Sequence, residues 1–226
     1  MDEENIQVVK ETYNAIAKFF APILSIDNSS VAEVSFMDSF IARLPEKCDV
    51  VDLGCGVGKH GRYCASKGFK VTGYDISEKM IELAKSYNGQ YTMKFLQVAD
   101  MCTFQSNIKF DGAVAMYSFI HLTKEQAVSA LHNLTKHLKD SAHIVLTVYH
   151  GERNGYYDEA LMPGCKQFYR DYTEEELLEM ISNVGFKVED IQLWNDEDDI
   201  TASNDDIEFG VIGVIATWQV TGNGTT

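Results

Sequence analysis

An α/β fold with a doubly wound, mostly parallel sheet is predicted by three features of this sequence. Apolar, β-branched runs alternate with segments of helical period along most of the chain, which calls for strands joined by crossover helices. The first run, Val50 to Leu53, leads into glycines at positions 54, 56 and 58 and then a helix start, as in a tight strand–helix turn. The chain has 226 residues, 45% of them hydrophobic, with no internal repeat and no second-domain boundary, so a single domain over 1–226 is expected.

The elements follow in order. Ile6, Val9, Tyr13, Ile16, Ala17 and Phe20 recur at helical spacing, and Pro22 should end that helix. Asp27 to Ser30 reads as a turn. A second helix is expected over Val31 to Leu44, with Val34, Met37, Phe40, Ile41 and Leu44 on one side. After the first strand, a helix opening near Lys59 carries Lys59, His60 and Arg62. Phe69 to Tyr74 forms strand two, Asp75 ends it, and Ser77 caps a helix that buries Met80, Ile81 and Leu83. Lys94–Val98, Phe110–Met116 and Ile144–Tyr149 read as strands three to five. Between the last two, Thr123 and Gln126 form a capping box, and Ala127, Leu131, Leu134 and Leu138 form a buried stripe.

His150 to Tyr172 shows no clear period and holds Tyr156, Tyr157, Phe168, Tyr169 and Tyr172. An insertion of that length is expected to bind or cover a ligand. Thr173 to Glu176 is a second capping box, Leu177, Ile181 and Val184 continue the helix inward, and Gly185 stops it. Phe186–Leu193 and Phe209–Val220 read as an antiparallel strand pair joined by an acidic loop, Asn195 to Asp206, before a loose tail from Gly222 to Thr226.

The net charge of −15, with no Lys/Arg cluster, disfavours nucleic-acid backbones and anionic membranes as partners. No apolar run approaches the ~20 residues of a membrane span. Met1-Asp2-Glu3-Glu4 lacks the basic-then-apolar start of a secretory leader. Five cysteines, an odd number without C-x-x-C, point to reduced thiols in a cytoplasmic protein and against a structural zinc site.

The glycines mark backbone that bends sharply or lies against a ligand, and the following helix offers free N–H groups to an anionic ligand group. In open α/β sheets, ligands lie beyond the carboxyl ends of the strands. Asp52-x-Gly54-x-Gly56-x-Gly58 resembles motif I of the class I S-adenosylmethionine-dependent methyltransferases. Gly73-Tyr-Asp-Ile-Ser77 resembles that family's next motif, and Phe168 to Ile191 resembles its usual lead into strand six.

The likeness, from about Cys48 to Val220, implies a Rossmann-like seven-stranded sheet in the order 3-2-1-4-5-7-6, strand seven antiparallel. It further implies that residues 1–44 form a helical lid and that 150–172 covers the substrate. S-adenosyl-L-methionine is the implied cofactor and S-adenosyl-L-homocysteine the product. By the same resemblance, Asp52 and the backbone of Gly54, Cys55, Gly56 and Gly58 approach its methionine part. Asp75 holds the ribose, Ile76 and Met80 sandwich adenine, and Asp100 and Met101 meet the adenine edge. Met116 and Tyr117 lie near the sulfonium, with Tyr13 contributed by the lid. A basic residue near the start of the glycine-turn helix can approach the cofactor's carboxylate.

Methyl transfer from a sulfonium is an in-line displacement, for which alignment supplies about 7–11 kcal/mol. His121 and His150 are the candidate bases for a hydroxyl or protonated amine, with an ordinary pKa near ~6.5. The sequence after strand four, MYSFIHL, lacks the N/D-P-P-[FYW] motif, and no metal-ligand set is evident. The expectation is therefore a metal-independent transfer to a small molecule. Aromatic faces in 150–172 favour a flat ring or a cationic amine. Two other readings stay open. Gly56-x-Gly58-x-x-Gly61 formally matches a dinucleotide turn, as in an NAD(P)-binding oxidoreductase, although little chain is left for a separate substrate domain. Alternatively, the chain binds S-adenosylmethionine without catalysis and its aromatic segment meets a protein partner.

Overall fold

In the computed structural model, residues 2–20, 30–86, 91, 93–195 and 210–219 are described. Val50, Val51 and Leu53 of β1 (Asp49–Leu53) are fully buried, because both faces of the sheet are covered by helices. β1 pairs in parallel with β2 (Lys70–Asp75) and β4 (Phe110–Met116). β3 (Phe95–Val98) and β5 (Leu138–His150) extend the parallel half on either side. β9 (Gly210–Trp218) then runs antiparallel to both β5 and β8 (Phe186–Asn195). The sheet order is β3-β2-β1-β4-β5-β9-β8. The labels differ from the expected 3-2-1-4-5-7-6 because two further strands, β6 (Asn154–Asp158) and β7 (Lys166–Arg170), intervene as a separate antiparallel hairpin.

Side chains alternate between two cores. Val51, Leu53, Ala113, Ala115, Ile144 and Leu146 face α5 (Lys124–Thr135) and α6 (Glu174–Val184). Val50, Val114, Val145 and Ile215 face α2 (Val31–Ile41), α3 (Lys59–Ser66) and α4 (Glu78–Ser86). α1 (Asp2–Phe20) crosses the carboxyl ends of the strands instead. Among the described residues no helix is long and apolar enough to cross a membrane.

Several expectations change here. α2 is not a second cover over the strand ends. Phe36, Met37 and Phe40 are buried against the sheet, where Gly112 and Gly213 leave room for Phe40 and Phe36. β5 begins six residues before Ile144. Leu138 pairs with Phe110, and a bulge then carries the polar stretch 139–142 before Gly112 meets His143, which hides the strand from a search for apolar runs. Residues 150–172 are largely the β6–β7 hairpin and not a structureless insertion. Its pattern is obscured because Gln167 and Arg170 are buried while Tyr156 and Tyr157 are exposed. The Thr123–Gln126 box closes reciprocally, but at α6 only Thr173 caps, because Glu176 turns its carboxylate to Arg170. Gly185 ends α6 in the left-handed conformation. The Asp27–Ser30 turn before Ser30, the acidic run after Asn195 and the C-terminal tail lie outside the described residues.

α2 is fixed to the start of α3 by one buried carboxylate. Glu33 Oε1 lies 2.9 Å from Lys59 Nζ and 2.8 Å from His60 Nε2. Burial pushes the Glu33 carboxyl up, yet His60 and Lys59 together hold it at about 2. Two basic residues at a helix N-terminus oppose its dipole, and this carboxylate offsets them. Lys59 and His60 are therefore engaged with α2, not directed at a cofactor carboxylate. Glu33→Ala is expected to cost about 3–5 kcal/mol by stranding buried Lys59, while Glu33→Ala/Lys59→Met recovers part of it. Urea unfolding midpoints of the two variants against the parent check this.

Candidate ligand-binding cleft at the strand ends

After Leu53 the backbone passes through left-handed conformations at Gly54, Gly56 and Gly58, with φ of 68°, 51° and 84°. The N–H groups of Gly54 and Cys55 donate to Tyr74 O at 2.8 and 3.0 Å, tying the turn to β2. Gly56 N–H donates to Asp75 Oδ2 at 2.8 Å, and Ser77 N–H donates to Asp75 Oδ1 at 2.8 Å. Burial pushes the Asp75 carboxyl up to about 6, against these backbone donors. A Cβ on Gly54 would sit 2.4 Å from Ser118 Cβ, so that glycine is a packing requirement. A Cβ on Gly56 would meet nothing within 4 Å, so the loop presents bare backbone to open space there. Underneath, the Met93 thioether lies 2.9, 2.5 and 2.5 Å from Cβ positions built on Gly58, Gly61 and Gly73.

Asp52 lies behind this loop. Its Oδ2 is buried without a hydrogen-bond partner, and burial pushes the carboxyl up to about 7 despite the Gly61 N–H. Cys55 is also tucked beneath, with its Sγ 2.9 Å from a Cβ built on Gly73. Burial holds its thiol well above the usual range. Only the backbone of residue 55 is in a position to serve the cleft. Asp100 Oδ1 accepts Cys102 N–H at 2.8 Å and so shapes the turn after β3. Met101 Cε reaches 3.3 Å from the Gly54 Cβ position. Met80 is buried with Ala17 and Val57 under α1, while Ile76 is half-buried beside it. Met116 is buried at the end of β4 and accepts a contact from Thr147 Oγ1 at 3.6 Å. Tyr117 follows with φ 54°, rare for a bulky side chain, and its N–H donates to Thr147 O and Oγ1, both at 3.1 Å.

α1 is stitched to both lips of this edge. Asn14 Oδ1 accepts from Ser77 Oγ at 2.8 Å and Lys79 N–H at 3.1 Å, so it helps cap α4. Nine residues earlier, about 13 Å along a helix rising 1.5 Å per residue, Asn5 exchanges hydrogen bonds of 2.8 and 2.7 Å with Gln126. Asn5 also donates to His121 O at 3.2 Å. Between these anchors, Tyr13 OH lies 2.8 Å from His121 Nε2. His121 Nδ1 is 3.0 Å from Phe168 O, and a carbonyl only accepts, so Nδ1 carries the proton and Nε2 accepts from Tyr13. Burial, with the nearby Arg153 charge, brings the His121 pKa down to about 4, although the Phe168 carbonyl opposes it. The expected ordinary histidine pKa does not hold there. His150 is not brought into this group: it is exposed at the end of β5, against Gly210.

Sequence reasoning missed Arg153. Its guanidinium lies 5.2 Å from the Tyr149 ring centre and 5.0 Å from that of Tyr169. Its Nε pairs with both oxygens of buried Asp171, at 3.1 and 2.9 Å. An arginine set among the tyrosines of an aromatic-rich insertion is the signal the sequence offers. Among the described residues, no group of three or more His, Cys, Asp or Glu is arranged to hold a metal ion.

The methyltransferase domain family matches residues 50–141, from β1 into β5. The chain is similar to the ubiquinone biosynthesis O-methyltransferase of Rickettsia akari (strain Hartford), 23% identical over 157 residues, which is 65% of this chain and 61% of that protein. The chain spans 45% and 65% of two other curated relatives. In fold it is similar to 1,6-didemethyltoxoflavin-N1-methyltransferase of Burkholderia thailandensis, solved with 1,6-didemethyltoxoflavin and S-adenosylhomocysteine bound. The TM-score is 0.74 at 17% identity, covering 97% of this chain and 91% of that one. It is also similar to the [4+2]-cyclase SpnF, with a TM-score of 0.71 at 14% identity over 94% of this chain and 96% of that one. These two likenesses establish the fold, which hosts different chemistries.

The buried carboxyls give a pH dependence of stability. Asp52 at about 7 and Asp75 at about 6 bind protons in the folded state that the unfolded chain has already released. The contribution of these two carboxyls therefore falls as pH rises through 5.5–7.5, opposed by His121, whose lowered pKa makes its own contribution rise over the same window, whereas Glu33 acts only below its unfolded value. Relative to the parent, the thermal midpoint of Asp52→Asn is expected to be roughly 3–6 °C more favourable at pH 7.5 than at pH 5.5. Calorimetric melts at both pH values check it.

Proposed function

We propose that this chain transfers a methyl group from S-adenosylmethionine to a hydroxyl or amine of a small molecule, without a metal. The observation that carries the reading is the Gly54–Gly58 loop, tied to Asp75 and open at Gly56, inside a methyltransferase domain. It lies where the sheet order reverses between β1 and β4, the usual place for a ligand in this architecture. When bound, S-adenosylmethionine supplies a sulfonium-activated methyl whose sulfur leaves as a neutral thioether.

The chain's own residues do the holding. Bare backbone at Gly54 and Gly56 takes the methionine part, and Asp75, already oriented by two N–H donors, accepts from the ribose hydroxyls. Ile76 and Met80 flank the adenine, with Asp100 and Met101 at its edge. Met116 and left-handed Tyr117 border the methyl, α1 closes over it, and the β6–β7 hairpin covers the acceptor. Tyr13 is the group nearest His121 Nε2, so a proton leaving the acceptor passes to Tyr13 oxygen as Tyr13 gives its own to the imidazole. A histidine brought down to about 4 is a weak base, which favours an acceptor that is itself acidic over an alkyl alcohol. His150, outside this group, has no part in the proposed transfer.

Titration calorimetry with S-adenosylhomocysteine tests the cofactor. Binding is expected, with Asp75→Ala weakening it about 10- to 100-fold through loss of charge-assisted hydrogen bonds. Absence of binding, with NADH bound instead, rejects the reading. A labelled-methyl screen against phenols and amines tests turnover, and silence despite tight cofactor binding marks a binding module without catalysis.

A further inference from the structure

A continuous rim of planar groups runs from Tyr117 to Tyr13. Tyr117 and Tyr149 have ring centres 5.7 Å apart, Arg153 lies over both Tyr149 and Tyr169, and Tyr169 is 5.1 Å from His121. His121 then meets Tyr13 edge-on at 5.3 Å. The rim runs from the end of β4, through the start of the hairpin, to the lid helix. We propose that this rim binds a planar acceptor bearing a negative charge, such as an aromatic carboxylate or phenolate, and that Arg153 selects it.

The inference rests on the methyl-transfer reading and refines its acceptor. Arg153 already occupies the cation position between two tyrosine faces, at distances typical of cation–π contact. A cationic amine entering this rim would meet like charge and a cage already filled. A flat anion instead stacks on the same tyrosines and gains the guanidinium. Two carboxylates lie near this group, and each already accepts hydrogen bonds within the protein. Asp171 takes the Nε edge of Arg153 and its backbone N–H at 3.1 Å. Glu159 is buried behind Tyr169, accepting from Tyr169 OH at 2.7 Å, Leu161 N–H at 3.2 Å and Gln167 Nε2 at 3.4 Å. Of the groups in the rim, Arg153 is the cation held against two tyrosine faces.

Two probes share a skeleton and differ in sign: 4-hydroxybenzoate and 4-hydroxybenzylamine. Calorimetry is run on the full chain, with and without S-adenosylhomocysteine. The anion is expected to bind at least about tenfold tighter than the cation. In Arg153→Gln/Asp171→Asn, which removes the pair together so that Asp171 is not left buried and unpaired, the preference should fall below about threefold with S-adenosylhomocysteine affinity unchanged. Arg153→Lys, keeping charge but losing the stacked plane, should retain the sign of the preference. Equal binding, tighter binding of the amine, no binding of either probe, or a preference untouched in the double variant overturns the proposal. Failure of S-adenosylhomocysteine to bind would overturn the methyl-transfer reading instead, and the charge preference is still measured without it.

Discussion

The N–H of Gly56 reaches across from the end of β1 to the carboxylate at the end of β2, and the geometry of the cleft follows from that bond. One oxygen of Asp75 shapes the glycine loop and the other shapes the entry to α4. A single side chain thus sets both the backbone that faces the open space and the helix to which α1 is fastened. Burial makes the charged form costly, but two backbone donors aimed at it keep it oriented. A carboxylate held this way needs little reorganisation to take a further donor, which is the property a hydroxyl-rich ligand requires.

The second constraint is the placement of α1. Most helices of the fold lie on a sheet face, where apolar burial holds them. α1 lies across the strand ends, with Ile16 and Ala17 buried, and polar contacts join it to both sides: Asn5 with Gln126, Tyr13 with His121, Asn14 with the start of α4 and Lys10 with Glu78. Side-chain amides contribute directional bonds of modest net strength, because water can replace them when they open. These amides fix the register of α1 at both ends, while Ile16 and Ala17 supply its apolar burial.

The parts of this arrangement legible in the sequence were those written in local patterns. Glycine spacing, an acid at a strand end, a Thr–Gln box and a Gly stop each follow from backbone chemistry within a few residues. The β6–β7 hairpin and the first half of β5 were hidden, because Gln167 and Arg170 are polar yet buried against the carboxylates of Glu159 and Glu176, and because a bulge placed polar residues inside a strand. His121 could be nominated from its position after β4. Its tautomer and lowered pKa depend on Tyr13 and Phe168, which lie 108 and 47 residues away. Glu33 with Lys59 and His60, and Arg153 with Asp171, are likewise pairings between elements that no local spacing announces.

The Met93 thioether beneath the loop is a neighbour common to three glycines, Gly58 in the turn before α3, Gly61 within it and Gly73 in β2. A methyl added at any one presses on this flexible group, with Asp52 also in the way at Gly61 and Cys55 and Leu96 at Gly73. Substitutions at these positions should be non-additive, with the first change consuming the slack that a second would need. The history of any one of these sites is therefore bound to that of a methionine far from the motif itself.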